Sequence, residues 1–300
     1  MRWLLGFRLE TGQAVSSEIR RIVLQQLDRA TTELTAIGDP ESDQAIHDAR
    51  RRVKKIRAII RLVRPVLGKA HRADPELRRV SKLLAPVADG QGVIDTLNQL
   101  VKRYRHELPK KTALAIRTGL IDRSKQIDSK ASQDGVLEKA QMTLRAERQR
   151  VKQWKLSAEG FRALAPGLKN SVRRARGAMM TAWLNPTAQH HHTWRRHVKN
   201  HWFHVRLLSA RCGYRLHPYQ RQLEALDGIL GEYHNLVLLH GVLVGDSTLE
   251  KTQIARCLRI VQRYQAELRR QAQLLGIRIY SEKPRRFVRR VRELWDAHQP

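Results

Sequence analysis

The segment His47-Asp48-Ala49-Arg50-Arg51-Arg52-Val53-Lys54-Lys55-Ile56-Arg57, continuing to Arg61, returns 145 residues later as His192-Thr193-Trp194-Arg195-Arg196-His197-Val198-Lys199, continuing to Arg206. Seven of the sixteen positions between His47 and Leu62 match at that offset: His47/His192, Arg50/Arg195, Arg51/Arg196, Val53/Val198, Lys54/Lys199, Arg61/Arg206 and Leu62/Leu207. Unrelated stretches would share about one, so the chain carries an internal duplication, and any fold it adopts must accommodate this segment twice.

At ~100° per residue, His47, Arg50, Arg51, Lys54 and Arg61 fall within roughly a third of a helix circumference. Ile46, Ala49, Val53, Ile56, Ile60 and Val63 fall opposite. Such a helix packs by its apolar side and must hold the cationic side near water or an anion. Like charges at i, i+4 spacing cost a few tenths of a kcal/mol per pair in the free protein, which points to a partner that neutralises them.

The rest of the chain reads as further helices. Ser16-Ser17-Glu18 opens one that runs to about Ile37, with Gly38 after it, and Asp39-Pro40-Glu41 is a start signal for the first basic helix, which Pro65 should end. Asp74-Pro75-Glu76 starts the next, Gly90-Gln91-Gly92 is expected to break it, and helical periodicity continues from about Thr112 to Leu164 with an interruption near Ser132–Gly135. In the second half, helices are expected over about Pro166–Leu184, the second basic segment after Asn185-Pro186-Thr187, Tyr219–Leu230, Leu236–Val244, Leu249–Leu275 and Pro284–Trp295, with Ile277–Tyr280 extended after Gly276. The fold class is therefore all-α: two similar antiparallel bundles of about four helices each, residues 1–152 and 153–300, each carrying one basic helix.

Charge narrows the function. The 58 Lys and Arg outnumber the 28 Asp and Glu, leaving +30, an excess that points to a polyanion or an anionic surface. Arginine offers a planar fork of donors and lysine a mobile point charge, and both suit phosphate oxygens. Further cations at Arg20, Arg173, Arg176 and Lys283 extend the basic segments, Arg20 and Arg173 from the helices just before them. The opening Met1–Arg8 is too soon interrupted by charge for a signal peptide, and no apolar run reaches the ~18 residues of a membrane span, so a cytoplasmic protein is expected. Cys212 and Cys257 lack metal or redox spacing and read as packed thiols.

Other chemistries fit less well. Consecutive His190, His191 and His192 point in different directions on a helix, with no carboxylate or cysteine at ligand spacing, so no metal is expected. Glu41, Asp43, Asp48 and Glu232 form no recognisable carboxylate pair, and neither a phosphate loop nor a nucleophile motif occurs, so catalysis is not expected either. Nucleic acid is the strongest rival ligand, because its backbone is also a phosphate polymer. No helix-turn-helix, zinc-finger or RNA-binding strand signature supports it; Trp154, between Lys152 and Lys155, is the one candidate for base stacking. Anionic lipid would require an apolar face that the bundle core already uses.

The basic helices resemble the CHAD domain family, the conserved histidine α-helical domain. Its first basic helix opens His-Asp-x-Arg before paired cations and a further arginine, as in His47-Asp48-Ala49-Arg50, Lys54-Lys55 and Arg57. Its second is similar to His192-Thr193-Trp194-Arg195 followed by Val198-Lys199 and Trp202-Phe203. Leu230-Gly231-Glu232-Tyr233-His234-Asn235-Leu236, Leu168–Arg176 and Leu275–Pro284 match further family segments, while Gln91-Gly92 and Asn235 depart where the family has Arg-Asp and Asp. The resemblance spans nearly the whole chain. It implies two pseudo-symmetric bundles around a basic channel that binds inorganic polyphosphate without catalysis, in association with polyphosphate granules, and here as a standalone binder with no triphosphate-processing domain. No cofactor is implied. The candidate ligand-binding set combines family positions with their neighbours on the charged faces: Arg20, His47, Arg50, Arg51, Lys54, Lys55, Arg57 and Arg61 from the first half, and Arg173, Arg176, His192, Arg195, Arg196, Lys199, Arg206 and Lys283 from the second. Nucleic acid remains the alternative partner and a competitor.

Overall fold

The computed structural model of the chain describes residues 6–35, 42–245 and 251–298. Among these, eleven α-helices and no strand occur: α1 (Val15–Thr35), α2 (Ser42–Val63), α3 (Ala73–Leu83), α4 (Ala85–Arg103), α5 (Lys110–Gln133), α6 (Val136–Val151), α7 (Gly160–Leu184), α8 (Ala188–Leu208), α9 (His217–Val244), α10 (Lys251–Tyr280) and α11 (Pro284–Asp296). The duplication extends well beyond the basic segment. One offset of 145 residues carries α1 onto α7, α2 onto α8, α3 with α4 onto α9, α5 onto α10 and α6 onto α11, with helix starts agreeing to about one turn.

The halves therefore contain six and five helices among the described residues, where about four each were expected. The odd number arises at Leu84, where the counterpart of α9 is split. Pro86, in the first turn of α4, has no N–H to donate and its ring would clash with the preceding turn. Gly90-Gln91-Gly92 does not break the chain but lies inside α4, whose buried Val87, Ala88, Val93 and Ile94 outweigh the ~1 kcal/mol that each helical glycine costs. Likewise α7 begins six residues before Pro166, and α9 runs unbroken through Leu230–Leu236. Ile277–Tyr280 is helical, not extended. Gly276 ends nothing there; a Cβ at that position would come 2.7 Å from Trp194 Cζ2, so the glycine serves the close crossing of α10 over Trp194. The start signal Asp39-Pro40-Glu41, Gly38 and the expected helix start at Leu249 lie outside the described residues.

Two buried cores hold the helices, and each draws on both halves. The larger packs α1, α2, α3 and α6 against α7, α8 and α11, with Ile22, Leu27, Ile56, Ile59, Leu164, Val205, Phe203 and Trp295 all buried. The smaller joins the ends of α4 and α5 to those of α9 and α10 through Leu97, Ile116, Leu236, Cys257 and Val261. The helices thus repeat from α1–α6 to α7–α11, while both cores run across the two sets. Within the larger core α2 and α7 approach closely: a Cβ on Gly167 would overlap the Leu62 carbonyl oxygen. Among the described residues no helix is long and apolar enough to cross a membrane.

Candidate functional site

Both basic helices begin and end where local chemistry dictates. Thr187 caps α8 by accepting a hydrogen bond from the His190 backbone N–H at 3.1 Å, and α2 stops at Val63, two residues before Pro65. His190 and His191 turn back to the carbonyls of Asn185 and Thr187, at 2.7 and 2.9 Å. That leaves His192 to face the interior, against His234 of α9 at a ring distance of 4.7 Å. The two basic helices then meet directly. His204 lies 2.8 Å from the Ala58 carbonyl oxygen, and Arg61 donates to the Asn200 side-chain oxygen at 3.0 Å.

Where α2 and α8 meet, their duplicated cations form one cluster. Lys54 has Arg50, Arg195 and Lys199 as its electrostatic neighbours, and burial together with those cations holds its ammonium well below the usual lysine range. Two carboxylates steady the periphery: Asp89 of α4 takes two bonds from Arg50, at 2.5 and 3.4 Å, and Asp227 of α9 accepts from Lys199 at 2.7 Å. Lys54 itself has no hydrogen bond or ion pair among the described residues, and the Nε atoms of Arg50 and Arg195 are buried without an acceptor. Burial and the neighbouring Arg195 and His192 push His234 down to about 3, so it is neutral in the free protein. The cluster is thus under-neutralised and partly dehydrated, a state that an incoming anion relieves.

Beside it opens a cavity of about 950 Å³. Its walls carry Arg57 and Arg61 from α2, Arg64 from the turn just after it, Arg78, Arg79 and Lys82 from α3, Arg174 from α7 and Arg196 from α8: among the described residues, eight cations against the single carboxylate of Asp74. Asp74 is already engaged, accepting from Arg57 at 2.7 Å and from Arg61 at 3.3 and 3.4 Å. Arg64, Arg78, Lys82, Arg174 and Arg196 have no side-chain hydrogen bond or ion pair among the described residues. His197, on the same wall, is pushed down to about 4 by burial and by Arg196, Arg174 and Arg61.

The remaining expected residues are distributed differently. Arg51 pairs with Asp48 at 2.8 Å, and with Lys55 and Arg206 it lies on the other side of the α2–α8 contact. Residues 6–10 cover that side: Phe7 packs edge-on to Phe203 at 5.7 Å, and the Leu9 N–H donates to the Leu207 carbonyl at 3.0 Å. Under this segment Lys55 is buried 5.4 Å from the Phe7 ring, and buried Arg206 lies over Trp202, with no ion pair among the described residues and only the more distant Glu224 opposing its charge electrostatically. His47 is exposed near the start of α2, beside Arg51 and Lys54. Arg20, Arg173, Arg176 and Lys283 do not line the cavity. On α7 it is Arg174 that does, since one residue along a helix is a turn of ~100°.

Sequence reasoning missed the three carboxylates that organise the cations, along with Arg64, Arg78, Arg79, Lys82 and Asn200. Asp74 had been visible only as a helix-start residue. Trp154, the candidate stacker, is 4% exposed in the larger core and offers no face to a base.

A family model described as CHAD domain matches residues 21–244. Two solved structures are similar in fold. The first is PptA from Streptomyces chartreusis, 14% identical over 90% of this chain and 100% of its own, with a TM-score of 0.65. The second is the CHAD domain from the plant Ricinus communis, 15% identical over 98% of this chain and 96% of its own, with a TM-score of 0.61. No curated protein sequence matches the chain.

Proposed function

The chain belongs to the CHAD domain family, some members of which bind inorganic polyphosphate, and from that premise we propose that it binds long-chain polyphosphate between α2 and α8. The observation that carries this reading is the charge imbalance on the two basic helices, in the cavity at Arg57 and Arg196 and, about one helical turn away, in the cluster at Lys54 and Lys199. Eight cavity cations face one carboxylate, and the cluster of Arg50, Lys54, Arg195 and Lys199 has lost water without gaining enough anions. A flexible polymer with a charge on every unit neutralises the two stepwise, as one path. Unpaired Arg78, Lys82 and Arg174 meet it at the rim, Arg57, Arg61 and Arg196 grip it by charge-assisted hydrogen bonds, and Lys54 receives it at the deepest point. Counterion release supplies much of the free energy, so affinity falls with salt and depends on chain length.

Binding without catalysis is part of this reading, in which Asp74, Asp89 and Asp227 hold cations in place. Residence in the cytoplasm on polyphosphate granules follows from this reading. Nucleic acid fits less well, because the central cations lie between packed helices, where a duplex does not reach, and Trp154 is buried. The test is a titration of long-chain polyphosphate against single- and double-stranded DNA and RNA, at equal phosphate concentration and physiological salt. Tighter binding of polyphosphate is expected; tighter binding of any nucleic acid overturns the assignment.

A further inference from the structure

A second concave surface, apart from the cationic path, has a different chemistry. Between the end of α7 and the face of α10 lies a cleft of about 270 Å³, floored by His191 and Trp194 and walled by Met179, Trp183, Pro186, Arg269 and Arg270. Among the described residues no carboxylate lines it. Trp194 is buried, and its indole N–H has no acceptor among the described residues, although buried N–H groups nearly always find one.

The surroundings are unusually apolar for the surface of so charged a chain. Met180, Trp183 and Leu184 share one strip of α7 at i, i+3 and i+4, and Leu274 and Ile277 continue the strip of α10 that carries Arg270. These five are half of the ten large hydrophobic residues exposed among the described residues, with Leu184 at 80% and Leu274 at 67%. Scattered exposed hydrophobics need no explanation, whereas a cluster flanking a cleft marks an interaction site.

We propose that this cleft docks an acidic protein segment by one aromatic or large aliphatic anchor residue. Size favours such an occupant, because about 270 Å³ falls short of the ~300–1,000 Å³ typical of small-molecule sites and suits one large side chain. Charge selects its neighbours: Arg269 and Arg270 can each take a carboxylate flanking the anchor, and a backbone carbonyl of the segment can accept from Trp194. A second copy of this chain is disfavoured by its own net charge of +30. A lipid surface would meet protruding side chains, not a recess. The proposal does not depend on polyphosphate binding.

The experiment is selection from a random peptide display library on the full chain, with long-chain polyphosphate present to occupy the cationic path. Enriched sequences should join an aromatic or large aliphatic residue to Asp or Glu. A fluorescent version of the best one should bind about tenfold more weakly to Trp183→Ala and to Arg269→Glu/Arg270→Glu, and with unchanged affinity to Lys54→Met. Trp183 and its neighbours are partly exposed, and unchanged circular dichroism melts will show that these variants fold. No enriched sequence, or one that binds the cleft variants as well as the parent, overturns the proposal. So does binding of anionic vesicles, with no peptide enriched, that the same substitutions abolish.

Discussion

Lys55 tests whether the basic helices really hold charge at a cost to the fold. It is 6% exposed, beneath Phe7, and burial first, then Arg206, Arg51 and Arg52, lower its ammonium from the usual 10.5 to about 7. A nearby carboxylate, Glu33, opposes this but is already held by Arg52 at 2.7 Å. At ~1.36 kcal/mol per pH unit, that lowering amounts to about 5 kcal/mol of destabilisation at most, and relaxation around the charge will leave about 2 kcal/mol or more. Lys55→Met removes the charge but keeps an unbranched apolar stem, and its sulfur can still lie against Phe7. The sign follows from proton counting. In the unfolded chain the lysine keeps its proton to about pH 10.5, whereas in the fold it loses it near pH 7, so wild-type stability rises with pH between those values. The variant should therefore be the more stable protein at and below pH 7, with an advantage that shrinks steadily and closes by about pH 10.5. Urea denaturation followed by circular dichroism at intervals from about pH 6 to about pH 10 measures this directly. A variant less stable at pH 7, or a difference that does not change with pH, would refute the reasoning.

Lys54→Met should likewise stabilise the free protein at neutral pH, but it should also weaken polyphosphate binding about tenfold and flatten its salt dependence, as read by titration at several salt concentrations. Asp89→Asn leaves the largely buried Arg50 without its carboxylate, and because Asp89 is itself 37% exposed it should cost about 1 kcal/mol; added polyphosphate should then raise the melting temperature of the variant more than that of the parent. Gly167→Ala forces a methyl into the Leu62 carbonyl, so α2 and α7 must separate; a loss of about 2–4 kcal/mol in urea denaturation is expected, and an unchanged midpoint would contradict the close approach.

Much of this could be read along the chain because it is written locally. The periodicity of residues 46–63, the stop before Pro65 and the Asn185-Pro186-Thr187 entry to α8 all depend on near neighbours. What resisted reading depends on distant partners. Which face of each helix meets the cavity is set by packing, which is why Arg174 of α7 lines it and Arg173 does not. The ion pairs of Arg50 with Asp89 and Lys199 with Asp227 join different helices, and nothing at either end announces the other. The covering segment at residues 6–10 was still less visible. Phe7 reads as part of an apolar start too soon interrupted by charge, yet with Leu9 it closes one side of the α2–α8 contact through Phe203 and Leu207, about two hundred residues away.

That closure explains how a duplicated chain comes to have a one-sided site. The offset that pairs Arg50 with Arg195 and Lys54 with Lys199 keeps the central cations in both copies. Applied to the cavity wall, the same offset sets Arg57 against Trp202, Asp74 against Tyr219, Arg78 against Leu223, Arg79 against Glu224 and Lys82 against Asp227. Every one of these second-copy residues reduces positive charge or fills space: Leu223 is fully buried, Tyr219 packs on His201 and Phe287, and Asp227 neutralises Lys199. Asp74 is the exception among the first-copy residues, and it is the carboxylate that holds Arg57 and Arg61 in position. Duplication therefore accounts for the two cationic helices that meet at Lys54. Divergence of their surroundings leaves one face open and cationic and the other covered by Phe7. A polyanion reaching the central cluster consequently approaches from the side of Arg78 and Arg174, and that is where neutralising substitutions should slow association most.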